Sequence, residues 1–190
     1  MTGGGFLPED SVGTQPTVQH THSSLRDDNV AHRLDERLLA VTRKYRNRLD
    51  QDGYDTFIKL WMDVAPLTQT TIHLRSTALA TQYLLRITND LSEYMMAYPS
   101  TPLHQIHAAV QVMDEAWMTV LRRDETQHEI SITDRIRIRN TLEDGRDRVV
   151  GFKKRGLDQV RDHGLPGVDS PSNGDTTVSS IYDGALDMLD

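Results

Sequence analysis

The chain has 190 residues, is 37% hydrophobic, contains no cysteine and carries a formal net charge of -7. That length fits one domain with extended ends, and the missing thiols exclude a disulfide framework, a thiolate metal site and a cysteine nucleophile. Aromatics make up only 6%, so the expected core is aliphatic, and no apolar run approaches the roughly 20 residues that span a bilayer.

Residues 1–27 mix Gly, Pro, Thr, Ser, His and Gln with little apolar content. They cannot bury enough surface to offset the entropy of ordering and are expected to form a disordered arm. Their opening, MTGGGFLPEDSVG, lacks the basic start and apolar centre of a signal peptide, which points to a nuclear or cytoplasmic protein. A first helix is predicted from about Asp28 to Gln51, with Val30, Leu34, Leu38, Val41, Tyr45 and Leu49 on one face and Asp52-Gly53 ending it. Phe57, Leu60, Trp61 and Val64 give a short second helix, which Pro66 is expected to stop. A third and longest helix is predicted from about Leu67 to Tyr98, roughly 45 Å long. Its stripe is Ile72, Leu79, Tyr83, Ile87, Leu91, Tyr94 or Met95, and Tyr98. Thr101-Pro102 restarts the chain as cap and first helical residue. The fourth helix, to about Arg123, has the seam Leu103, Ile106, Val110, Met113, Trp117 and Leu121. A polar loop, 124–131, leads to a fifth helix capped by Ser131 or Thr133 and reaching about His163. Ile138, Leu142, Val149 and Phe152 form its stripe, with Gly145 in the same seam for close approach. The expected fold is all-α: an antiparallel bundle of four long helices and one short helix over 28–162, flanked by disordered tails. Residues 163–190 form an acidic flexible tail with a short amphipathic motif at 178–190.

Catalytic patterns are sparse. The pairs Asp27-Asp28, Asp35-Glu36 and Glu143-Asp144 lie beside basic residues on polar faces, the pattern of solvated helical ion pairs. His104 and His107 could share a face, yet two imidazoles make half of a zinc site, and no HExxH occurs. Gly3-Gly4-Gly5 lacks the following Lys-Ser/Thr and the preceding strand of a phosphate loop. No catalytic, cofactor-binding or metal-binding residue is assigned. The competing expectation is a helical-bundle enzyme or small-ligand binder. It would need His73, His104 or His107 to face Asp90 or Asp114 in the bundle interior.

Two features favour binding of proteins. Between Ser131 and Arg161 there are nine Lys and Arg against five acids, a surface suited to an acidic partner. Aromatic residues do not interleave these charges, which argues against stacking nucleic-acid bases. Residues 163–190 hold five Asp and no Lys or Arg. Within them Val178, Ile181, Ala185 and Met188 fall on one helical face, the pattern of a segment that folds into a groove, on a partner or on its own bundle. Thr101-Pro102 and Ser170-Pro171 also have the form of proline-directed phosphorylation sites.

Three stretches, LDERLLAVTRKYRNRL (34–49), YLLRITNDLSEYMMAYP (83–99) and DRIRIRNTLEDGRDRVVGF (134–152), together resemble the fungal family of subunit 11 of the general transcription factor TFIIH. The resemblance covers about residues 34–152 and neither tail. It implies a nuclear, non-catalytic accessory subunit that binds the XPB-type helicase of TFIIH and promotes its release during transcription initiation. It offers no catalytic residue to carry over. That no cofactor, no direct nucleic-acid contact and no membrane are expected follows from the sparse site motifs, the charge balance and the apolar runs above. The expected partner-binding residues are Arg86, Asn89 and Glu93 on the long helix, Arg135, Arg139, Arg146 and Arg148 on the last helix, and Ile181 and Met188 in the tail.

Overall fold

A computed structural model describes residues 19–162 and 180–190, with side chains over 26–155 and 180–190. Residues 1–18 of the expected arm, and the linker 163–177 with Ser170 and Val178, lie outside the described residues. The helices are α1 (Gln19–Arg46), α2 (Phe57–Ile72), α3 (Thr77–Met96), α4 (Leu103–Gln127), α5 (Ile132–Asp162) and the short α6 (Asp183–Asp187). Among the described residues there is no strand, and no helix is long and apolar enough to cross a membrane.

The periodic apolar positions become one core. Leu34, Leu38, Val41 and Tyr45 of α1, Ile106, Val110, Met113, Trp117 and Leu121 of α4, and Ile138, Leu142, Val149 and Phe152 of α5 are all buried in it. Twelve of the 20 residues of α3 are buried, which makes it the central helix. It packs on α2, α4 and α5 and bonds to α1 through Tyr83 Oη, which donates to Ala31 O at 3.0 Å.

Contact pairs give the helix directions. Ascending α1, Ala31, Asp35 and Thr42 meet Tyr83, Arg86 and Tyr94, so α1 and α3 run parallel. Thr77 meets Arg123 while Thr88 meets Trp117, so α3 and α4 run antiparallel. Thr68 and Ile72 meet Met113 and Arg123, aligning α2 with α4. Ser92 lies by Gly145 and Met96 by Arg155, aligning α5 with α3. Successive long helices therefore reverse direction, giving the all-α bundle.

The helix boundaries differ from the periodic reading in several places; α4, for one, begins after an N-cap at Pro102 and runs to Gln127, past the expected end at Arg123. Pro66 lies inside α2 instead of ending it. Proline deprives the Met62 carbonyl of its helical donor, but Pro66 and Met62 are both exposed, so water can serve that carbonyl. The buried stripe Phe57, Leu60, Val64, Leu67, Thr68 and Thr71 meanwhile runs straight through. The break instead falls at His73–Ser76, where distant side chains satisfy the freed backbone. The Asp27 carboxylate accepts from Arg75 N at 3.1 Å and Ser76 N at 3.0 Å. Arg123 Nη1 donates to the carbonyls of Ile72 at 3.3 Å and Leu74 at 2.6 Å. Ser76 then caps α3 by accepting from Leu79 N at 3.2 Å. Finally, α1 begins at Gln19, inside the expected arm, and ends at Arg46, which leaves Leu49 beyond it and 94% exposed.

Candidate interaction surface

The turn from α4 to α5 sets the start of the basic helix. Asp124 is 1% exposed. Its carboxylate accepts from Ile130 N at 2.8 Å and from Arg135 Nη2 at 2.7 Å. His128 supplies a left-handed residue with φ 53°, and Ser131 caps the helix by accepting from Asp134 N at 3.0 Å. Arg135 is thus committed to holding this turn.

Two more of the expected arginines hold the C-terminal segment. Arg146 Nε donates to Ile181 O at 2.9 Å, and its Nη2 donates to the Asp183 carboxylate. Arg139 Nη2 donates to Asp190 at 2.6 Å. From α4, Asp114 accepts from Ala185 N at 2.9 Å; burial pushes its carboxyl above the ordinary range while the backbone donors of residues 185 and 184 oppose this. Ile181, Tyr182, Ala185 and Leu186 are buried and Met188 is half-buried. The 178–190 motif was expected to belong to a flexible tail, with Ile181 and Met188 available to a partner. Its described part is instead packed on its own bundle, because α4 and α5 offer it both an apolar floor and paired charges.

Gly145 explains the fit. A Cβ there would lie 3.0 Å from Cε2 of Tyr182, so the close approach expected at this glycine is that of the tail's aromatic ring. Asp114, Gly145 and Tyr182 were not assigned as site residues from sequence. A glycine in an apolar seam together with an aromatic in the acidic tail was the signal that could have paired them.

Arg148 is exposed and forms no ion pair among the described residues. Ile132, Ile136 and Val150 are 79%, 56% and 45% exposed. At spacings of four and fourteen they share the α5 face turned away from Ile138, Leu142 and Val149. Sequence reasoning missed the two isoleucines, although in DRIRIRN only Ile138 falls on the buried period. The α3 residues form a separate edge. Arg86 pairs with Asp35 at 3.0 Å and approaches Asp90 at 4.0 Å. Asn89 Nδ2 donates to its own helix at Leu85 O, 2.9 Å away, and Glu93 is exposed beside Tyr45.

The groups needed for an interior site have other surroundings. His73 and His104 are exposed; Asp90 lies by Arg86 and Asp114 serves Ala185 N. Thr88 holds the core together: its Oγ1 donates to Leu84 O at 2.7 Å while accepting from Trp117 Nε1 at 3.0 Å.

No curated protein and no solved structure matches the chain. Residues 53–184 match the family described as subunit 11 of the general transcription factor TFIIH. The matched span takes in α2 to α5 and Ile181 to Gly184, whereas the LDERLLAVTRKYRNRL stretch of α1 falls outside it. With well over half of its length matched, the chain belongs to the family of subunit 11 of the general transcription factor TFIIH.

Proposed function

We propose that this protein is a non-catalytic protein-binding subunit of TFIIH, acting in the nucleus, that engages the XPB-type helicase of the complex and promotes its release during transcription initiation. The family match over residues 53–184 is the observation that carries this reading. The outer face of α5 is the proposed helicase-binding surface, with Ile132, Ile136 and Val150 along one flank and Arg148 exposed on the other. Exposed isoleucines and an exposed arginine on one helix suit an interface in which a few apolar anchors and Arg supply most of the binding energy. Arg86, Asn89 and Glu93 are assigned a secondary contact at the α1–α3 edge. A net charge of -7 disfavours a phosphate backbone as the main partner.

The test adds the full chain to immobilised, purified TFIIH and measures how much helicase remains bound. The wild-type chain should release helicase. An Ile136→Asp/Arg148→Glu variant should need about tenfold more protein for the same effect, as loss of one interface anchor implies, with an unchanged melting curve. Equal potency of the variant would exclude this face, and no release by the wild type would exclude the role.

A further inference from the structure

The contact between the C-terminal segment and the bundle has the construction of a peptide–groove complex. The segment from Ser180 to Asp190 contains one helix of five residues, far below the length at which a helix stands alone in water. Its order therefore comes from docking. Four points hold it. Ile181 and Tyr182 are 2% and 1% exposed. Arg146 grips the Ile181 carbonyl and the Asp183 carboxylate. Asp114 reads the Ala185 amide. Arg139 meets the Asp190 side chain. The surfaces match closely at two glycines: a Cβ on Gly145 would press on Tyr182, and one on Gly184 would reach within 2.5 Å of Met118 Sδ. Tyr182 sits at φ 59°, a left-handed conformation costly for a bulky residue. The docked segment thus carries strain that a different sequence in the same groove could avoid.

Charge adds a second argument. The segment is acidic, and it occupies Arg139 and Arg146, two members of the basic row on α5. We propose that this groove is a docking site for an acidic, aromatic-bearing peptide segment of a partner protein, and that the chain's own residues 180–190 compete for it in cis. This rests on the reading of α5 as a partner-binding helix and adds regulation to it. Covalent attachment gives the segment an effective concentration on the order of millimolar. A partner segment therefore wins only when it binds more tightly or is itself held nearby by the outer face of α5. The apparent affinity of any external peptide is reduced by the fraction of molecules whose groove is open.

The probe is a fluorescein-labelled synthetic peptide of residues 180–190, titrated against the full-length chain. A Tyr182→Ala/Asp183→Lys variant disables the tail while leaving every residue of the groove in place. It should bind the peptide at least about tenfold more tightly than the wild type does, and adding Arg146→Glu should abolish the gain. Binding to neither chain, or equally to both, overturns the proposal, and so does assembly of the wild type into dimers through exchanged tails. Hydrogen exchange on the unaltered full chain gives a check that needs no substitution. The Ala185 amide should exchange at least about a hundredfold faster than that of Trp117 in the core of α4, as a segment that opens by itself must. Equal protection makes the segment an integral part of the bundle and defeats the idea. Failure of the helicase-release assay with intact peptide competition would remove the helicase reading and leave the groove standing.

Discussion

At the scale of single residues, the core depends on a few polar contacts that must be complete. The Trp117 indole is fully buried and its N–H is received by Thr88 Oγ1. Thr88→Val keeps the shape and removes the acceptor, so a buried donor loses its partner, at a cost of about 1–3 kcal/mol. Urea unfolding should show this loss for the valine variant and a smaller one for Thr88→Ser; a valine variant as stable as the wild type contradicts the assignment. Asp63 offers a pH test. It accepts from Tyr54 Oη at 2.7 Å and Lys44 Nζ at 3.2 Å. The Tyr54 hydrogen bond, with help from Lys44 and against partial burial, holds its carboxyl below the ordinary range. A carboxyl lowered by folding adds stability above its unfolded value of about 4, and that stability disappears as pH falls through the folded value. Asp63→Asn should therefore lower the urea midpoint at pH 7 and make little difference at pH 3. A penalty of the same size at both pH values would show that the charge plays no part.

At the scale of elements, the sequence reveals stripes better than ends. The period of 3.6 found Leu34, Leu38, Ile106, Met113, Trp117, Ile138 and Leu142, all of which are buried. It could not find the break at His73–Ser76, because the groups that stabilise that break are Asp27 and Arg123, about fifty residues away on either side. Pro66 misled for the complementary reason. Its local cost was visible, whereas the continuation of the buried stripe through Leu67, Thr68 and Thr71 on the opposite face, which outweighs it, was not. The α4–α5 turn is another element fixed by one residue. Asp124→Ala removes acceptors from Ile130 N and Arg135 at once. A partly exposed Arg135 keeps some water, so the expected loss is about 2–3 kcal/mol. Amide exchange should accelerate first at Ile130 and the opening turn of α5. Unchanged exchange there would mean that the turn holds without the carboxylate.

At the scale of the whole molecule, alternating helix directions place α3 at the centre and turn α5 outward with two kinds of surface. Arg139 and Arg146 hold the C-terminal segment, and the outward-facing remainder of the helix leaves Ile132, Ile136 and Arg148 exposed. The basic row of α5 was legible from composition, but which arginines remain accessible was not. That division depends on Gly145 and Asp114, whose importance appears only once Tyr182 and Ala185 are placed beside them. Family membership through residues 53–184 gives this arrangement its setting in a transcription complex. The most direct test is to purify the tagged full-length chain from nuclei of its own organism and identify what accompanies it by mass spectrometry. TFIIH subunits, the XPB-type helicase among them, should be recovered, and helicase recovery should fall with Ile136→Asp/Arg148→Glu. Recovery of the chain with no TFIIH subunit would contradict the account.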